Sequence, residues 1–170
     1  MKRKSFAHTN CSIARALEVV GEWWTILVLR EAFLGTRRFE DFHERVGAAR
    51  NVLAARLRHL VRHGVLARAR YQERPPRHEY WLTDKGRDLF PVIVALMSWG
   101  DRWATPAGGP PVVLAERATG KPLAPRLVCG KSGKPVELST TLAVPGPGAD
   151  ARTRRRLEEI AEAVRRPSRA

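Results

Sequence analysis

The chain has 170 residues, 44% of them hydrophobic, which is enough to form a buried core and argues against a disordered protein. It carries 31 Lys and Arg against 17 Asp and Glu, and the resulting net charge of +14 indicates a polyanion as partner. The sequence has no run of 18 apolar residues, which argues against a membrane span, and no apolar segment after its basic start, which argues against a secretory signal. It has only two cysteines, which argues against a disulfide framework, so we expect a cytoplasmic protein.

Apolar residues at helical spacing predict four helices in the first part of the chain. These helices cover residues 11–20, 24–34, 38–46 and 51–63. Ser12 is the predicted N-cap of the first helix. Gly35 and Gly64 are expected to end the second and the fourth.

The middle of the chain predicts a hairpin followed by a long helix. Strict alternation over 65–71 and 78–82 indicates two strands, joined by a tip that contains two prolines. Thr83 is a suitable N-cap for a fifth helix over 84–103, in which Pro91 is expected to produce a kink. We therefore expect an α+β fold, mainly α.

Glycines and prolines at 105–111 predict a linker between two parts of the chain. Beyond it we expect a small β-rich extension with a weak internal repeat, "TGKPL" and "SGKPV", and then an amphipathic C-terminal helix that packs on the body or on a dimer partner. The predicted organisation is a DNA-binding and dimerisation domain at 1–104, the linker at 105–111, the extension at 112–148, and the last helix and tail at 149–170.

The order helix, turn, helix, hairpin over 38–82 is typical of a winged helix-turn-helix, in which the second helix lies in the major groove of DNA. The predicted helix 51–63 fits that role, because its aliphatic face can dock on the domain while Asn and Arg side chains on the other face can bind base edges. Eight arginines and one acid, Glu73, fall between residues 50 and 77. The predicted DNA contacts are Arg38, Arg50, Asn51, Ala55, Arg56, Arg58, His59, Arg62, Arg74 and Arg77.

The hairpin tip, "ERPPR", has two interpretations. Pro75 and Pro76 fix the backbone, so Arg74 and Arg77 on either side are suited to insertion at a narrow minor groove. Alternatively, the prolines only prevent the strand edges from pairing with another chain. The adjacent helix pair favours the first interpretation.

The sequence resembles the HxlR-type transcriptional regulators, which are relatives of the MarR group. The matching stretches are "CSIARALEVVGEWWTILVLREAFLGTRRFEDF", "NVLAARLRHLVRHGVLAR", "YQERPPRHEYWLTDKGRDL" and "WG", which together span residues 11 to about 103. The resemblance implies a winged-helix protein that binds double-stranded DNA, usually as a repressor, and that dimerises through its first and fifth helices. One departure is "AAR" at 48–50, where many members place a Ser or Thr cap.

Two residue sets are candidates for sensing a signal. Several members of the family respond to oxidants through a cysteine before the first helix, and Cys11 matches that position; the alternative is that Cys11 only packs as a small apolar residue. Trp24, Trp99 and Trp103 are candidates for an effector pocket at the dimer interface, or are simply core residues. A small molecule or an oxidant is therefore a possible effector.

Other chemistries have little support in the sequence. Longer family members carry cysteine pairs in the tail, but here Thr119 and Ser132 stand in their place and Cys129 alone cannot bind zinc. His59 and His63 are spaced for metal but lack further ligands, and phosphate-binding loops are absent. We expect no enzyme activity, no cofactor and no metal. The alternative function is a basic nucleic-acid-binding protein without sequence preference, architectural or RNA-associated.

Overall fold

The computed structural model describes residues 5–105 and 107–165, and its contacts divide the chain into two compact units. One unit is Ala16–Pro125, and the other combines Met1–Arg15 with Arg126–Ala170. The elements are α1 (Ser12–Val20), α2 (Trp23–Phe33), α3 (Phe39–Val46), α4 (Arg50–Arg62), β1 (Leu66–Gln72), β2 (Arg77–Leu82), α5 (Asp84–Arg87), α6 (Phe90–Trp103), a 3-10 helix (Leu138–Thr140) and α7 (Ala151–Arg165). The predicted winged helix-turn-helix fold, mainly helical with one antiparallel hairpin, is confirmed. The domain boundaries expected from the sequence stay a prediction.

The core of the larger unit is formed by α2, α3 and α4. Its fully or almost fully buried apolar side chains are Val28, Leu29, Phe42, Ala48, Leu53, Leu57, Leu60, Val65 and Leu66. The three leucines of α4 recur at intervals of four and three residues, so they form one stripe against α2 and α3. Burial of this stripe fixes which face of α4 is directed outward.

The wing is an antiparallel pair of β1 and β2 with Leu66 opposite Leu82 and Arg68 opposite Tyr80. The chain before α3 adds a short third segment, because Tyr80 N donates to Arg37 O at 2.8 Å and Arg38 bridges Glu79. The wing is therefore joined to the start of α3 by backbone hydrogen bonds.

The base of the wing is closed around Thr83 and Gly86. The Thr83 hydroxyl accepts a hydrogen bond from Gly86 N at 3.1 Å, as predicted for an N-cap, and donates to Gly64 O at 2.6 Å. A Cβ on Gly86 would lie 2.3 Å from Val65 O, so only glycine allows this close approach.

The single helix predicted over 84–103 is wrong in one respect. The chain forms two helices, α5 and α6, and Pro91 lies in the first turn of α6 and does not kink the middle of a long helix. Proline is tolerated there because the first-turn N–H groups have no intrahelical acceptor. Ser12 is likewise the first residue of α1, and the residue at the N-cap position is Cys11, whose carbonyl accepts from Arg15 N.

The β-rich runs expected at 112–148 do not form regular strands among the described residues. Two isolated bridges, Ala115 with Pro122 and Val128 with Pro135, close two similar turns. Both bridges end at a proline, which has no N–H to extend a ladder. The predicted last helix is present as α7, where Asp150 Oδ1 accepts from Thr153 N at 2.7 Å. None of the described helices is long and apolar enough to cross a membrane.

Candidate nucleic-acid interface

The turn between α3 and α4 sets the direction of α4, which is the second helix of the helix-turn-helix and is called the recognition helix below. Gly47 ends α3 with φ at 72°, the left-handed region that favours glycine, and Ala49 stands at the N-cap of α4 without a side-chain hydrogen bond. Because Ala49 stands where many family members have Ser or Thr, α4 begins without a side-chain cap. Packing of Leu53 and Leu57 holds α4 in place instead.

The outward face of α4 carries an exposed row of polar side chains. Asn51, Arg58 and Arg62 are all exposed. A shallow depression of about 360 Å³ is lined by Ala55, Arg56, Arg58, His59 and Arg62. Arg58 makes only a 3.3 Å hydrogen bond to Ala54 O of its own helix, and within the described residues it has no carboxylate within 4.0 Å. The guanidinium is thus available to a ligand.

Two of the predicted DNA contacts are directed to the turn between α1 and α2. Arg56 lies 3.7 Å from the carboxylate of Glu22, and both side chains are about three-quarters buried. Glu22 also accepts from Thr25 N at 3.2 Å, which caps α2. Arg56 therefore links α4 to the start of α2 while it also lines the depression on the outward face, which a helical wheel alone could not show.

His59 makes a second link of the same kind. Its Nε2 lies 3.0 Å from Val19 O in the last turn of α1, and Arg62 approaches Nδ1 at 3.3 Å. Because a guanidinium only donates, Nδ1 accepts and the proton on Nε2 is donated to Val19 O. His59 thus stabilises the end of α1 while it also lines the depression on α4, and its role as a DNA contact stays a prediction.

Glutamates distant in sequence engage several of the basic side chains. Arg50 makes a bidentate pair with Glu40 at 2.6 and 2.7 Å, which holds the pKa of the Glu40 carboxyl below its ordinary value. Arg38 pairs with Glu79 at 3.2 Å. Counting acids only between residues 50 and 77 missed these partners, because they lie outside that window.

The wing carries the remaining predicted contacts. Arg74 and Arg77 are exposed at its tip, next to a cleft of about 500 Å³ between the wing and the start of α3. The cleft is lined by Arg38, Phe39, Glu40, Asp41, Arg68, Tyr71, Pro76, Arg77, His78 and Tyr80. Arg68 donates to His78 Nδ1 at 2.9 Å, and partial burial together with Arg68 and Arg70 lowers the pKa of His78. Sequence reasoning did not identify Arg68 or His78 as part of this surface, although strand alternation places both on one face.

The sensing candidates are not gathered into one site. Cys11 is exposed. Trp24 packs against the core, whereas Trp99 and Trp103 are 62% and 66% exposed on α6. The depressions described above, and a third one between α6 and residues 114–125, are lined by other residues.

The turns of the extension are closed by hydrogen bonds. Thr119 donates to the Glu116 carboxylate at 2.5 Å, and in the other unit hydrogen bonds from Ser132 lower the pKa of the Cys129 thiol. No group of three or more potential metal ligands occurs in the described ranges. The arrangement with the clearest chemistry is thus the outward face of α4 beside the wing, a set of donors suited to base edges and phosphates.

Comparison with known proteins agrees with this geometry. Residues 19–107 match the family model for HxlR-like helix-turn-helix proteins. Rv3095 of Mycobacterium tuberculosis, an uncharacterized HTH-type transcriptional regulator, is 46% identical over 141 residues, which are 83% of this chain and 89% of that protein. The cyanobacterial regulator sll1512 of Synechocystis is 40% identical over 94 residues, 55% of this chain and 70% of its own length.

Solved structures show the same similarity. PA1607, a candidate transcription factor, has a TM-score of 0.75 at 39% identity and covers 84% of this chain and all of its own. The redox regulator HypR in its oxidized form has a TM-score of 0.53 at 29% identity, covering 56% of this chain and all of its own. With the family model matched over half of the chain and the winged helix-turn-helix in place, the chain belongs to the HxlR-like helix-turn-helix family of transcriptional regulators.

Proposed function

We propose that this regulator binds a specific double-stranded DNA operator as a homodimer in the cytoplasm, and that it acts as a repressor by covering a promoter. The observation that carries the proposal is the outward face of α4, where Asn51, Arg58 and Arg62 are exposed while the leucine stripe is buried. Such a helix presents its polar side to the major groove, where Asn and Arg distinguish adenine and guanine. No catalytic activity and no cofactor are proposed.

Specificity is tested by a gel shift. A site is first selected from a random-sequence library by the protein, and its affinity is then compared with that of an unrelated duplex of equal length. A specific regulator binds its site about 10³-fold or more tightly than random DNA. Equal affinity for both duplexes would favour the second candidate, a basic protein without sequence preference, whose support is the net charge of +14.

The proposed dimer rests on α6. This helix has no fully buried residue and exposes Val92, Leu96, Trp99 and Trp103, which recur at intervals of four, three and four residues. A continuous apolar stripe of this kind is stable when covered, and a second copy related by two-fold symmetry is the simplest cover. Light scattering should give about twice the chain mass of 19.1 kDa. Such a dimer is expected to bind a pseudo-palindromic operator, whose two half-sites mirror its two-fold symmetry. A monomer at micromolar concentration contradicts both the dimer and this operator.

A response to oxidants or electrophiles is proposed at Cys11. The exposed thiol stands at the N-cap position of α1. Similarity to HypR, which is a redox regulator, supports the proposal. The test is DNA binding by the wild type and Cys11→Ser with and without diamide. If the wild type keeps its affinity after mass spectrometry shows a modified Cys11, the effector is a small molecule or another protein.

A further inference from the structure

Positive charge is distributed unevenly between the two compact units. Residues 16–125, which contain the recognition helix and the wing, hold seventeen Lys and Arg against twelve acids, a formal +5. Residues 1–15 and 126–170 hold fourteen against five, a formal +9. The unit without the helix-turn-helix therefore has the larger net charge in about half the length, and a field of that sign attracts polyanions.

The ion pairs increase this difference. Every ion pair among the described residues lies within 16–125, where acids engage Arg30, Arg38, Arg50, Arg56, Arg70 and Arg87. In α7, four arginines are exposed and have no carboxylate within 4.0 Å in the described ranges: Arg152, Arg154, Arg155 and Arg156. Among the contacts of residues 5–105 and 107–165, Arg154 alone of the four has a hydrogen bond, to Ala149 O at 3.3 Å.

The placement of these arginines opposes helix stability. They occupy the first six residues of α7, the positive end of the helix dipole, where cations are unfavourable. Arg152, Arg155 and Arg156 fall within about 100° of arc, so like charges three and four residues apart also repel. The nearest acids in sequence are Asp150 at the cap, whose pKa is already lowered by a hydrogen bond from Thr153 N, and Glu158 and Glu159 further along α7. Within the described ranges none of their carboxylates lies within 4.0 Å of these guanidinium groups. A patch that opposes local stability in this way indicates a binding surface, because a bound anion relieves the repulsion.

We infer that Arg152, Arg155 and Arg156 of α7 form a second DNA contact, which binds backbone phosphates of the duplex flanking the site held by the recognition helix. The inference rests on the proposed DNA-binding function and extends it to a longer footprint. Double-stranded DNA is the partner because its regularly spaced phosphates match a row of guanidinium groups on one helix face. The contact adds affinity and carries no base preference.

The experiment uses the full chain and a selected site placed in a short duplex, with few flanking base pairs, and in a long duplex, extended by about one helical turn on each side. Arg152→Gln/Arg155→Gln/Arg156→Gln removes three charges and keeps helix propensity, since Gln and Arg are close on that scale. The matched control is Arg102→Gln/Arg117→Gln/Lys121→Gln, which removes three exposed charges from the other unit.

We expect the wild type and the control to bind the long duplex more tightly than the short one. The α7 variant should lose at least about tenfold in affinity for the long duplex, with little change in affinity for the short one. The slope of log affinity against log salt concentration should become shallower by about 0.9 for each lost phosphate contact. A triple Arg→Lys variant should retain the flank effect, because it keeps the charge.

Four results would overturn the inference: an unchanged slope, an equal loss on both duplexes, an equal loss in the control, or a Lys variant as weak as the Gln variant. Loss of binding to structured RNA or anionic vesicles with DNA affinity intact would assign the patch to those partners instead. If the wild type binds the selected site no more tightly than a random duplex, the proposed function itself is contradicted. This outcome is distinguishable from failure of the α7 contact alone.

Discussion

Arg56 and Arg58 are two residues apart on the recognition helix, yet alanine at each position should have opposite consequences. Arg58 is exposed and makes one long hydrogen bond within its helix, so Arg58→Ala should change the free energy of unfolding by less than about 0.5 kcal/mol. On DNA it should remove a base contact worth about 1–3 kcal/mol, or roughly 5- to 150-fold in affinity per half-site.

Arg56 belongs to the fold instead. Its guanidinium is 3.7 Å from Glu22, its side chain is 24% exposed, and its Nε is buried without a hydrogen-bond partner in the described part of the chain. Arg56→Ala leaves the carboxylate of Glu22, which is about three-quarters buried, without its ion-pair partner and removes the packing of the arginine stem, while the loss of the unsatisfied Nε offsets part of the penalty. The net expectation is about 1–2 kcal/mol of lost stability.

Two measurements separate the roles: urea unfolding for stability, and fluorescence anisotropy on the selected site and on a random duplex for binding. Arg58→Ala should lose affinity for the site far more than for random DNA. Arg56→Ala should shift the urea midpoint and leave the preference between the duplexes intact. If Arg58→Ala weakens both duplexes equally, Arg58 contacts only phosphate, and if Arg56→Ala leaves the midpoint unchanged, the Glu22 link contributes nothing.

The wing, the end of the recognition helix and the wing base each allow a further test. Arg77→Ala should weaken binding most where A·T pairs flank the site, since narrow grooves attract arginine, and a loss independent of flank composition places the wing outside the groove. Burial, with His59, Arg62 and Lys85, lowers the pKa of His63, so the unfolded chain takes up the proton first and stability should fall as the pH drops below about 6.5. His63→Gln should flatten urea midpoints measured from about pH 8 to about pH 5, and an unchanged pH dependence would exclude His63 as the cause. Gly86→Ala should lose about 1–3 kcal/mol through contact with Val65 O; wild-type stability would show that the backbone moves aside.

Much of the fold could be predicted because it is encoded locally. The leucine spacing of α4, the alternation of the wing strands and the cap at Thr83 each depend on a few neighbouring residues, and all three are present. Boundaries were less accurate: the break between α5 and α6 depends on whether Pro91 starts a helix or interrupts one, which the apolar pattern does not decide.

The candidate site was predictable only in part. A helical wheel identifies Asn51 and Arg58 as outward, but Arg56 and His59 lie at its margin, where the neighbouring turn at Val19–Glu22 decides their direction. Long-range pairs such as Arg50 with Glu40 cannot be inferred from charge counts along the chain. The part of the site that the sequence does not predict is therefore the set of ion pairs and hydrogen bonds between residues distant in the chain.

The bidentate pair of Arg50 and Glu40 has a consequence for how this protein responds to salt. An arginine that already has a carboxylate partner exchanges one anion for another when it meets a phosphate, so it contributes less to the release of condensed cations from DNA than its charge suggests, because the displaced Glu40 then attracts a cation of its own. The affinity should accordingly decline less steeply with ionic strength than a count of arginines on the DNA-facing surface implies. Replacing Glu40 by Gln should make the affinity decline more steeply with ionic strength, because Arg50 would then have no carboxylate to leave when it contacts a phosphate.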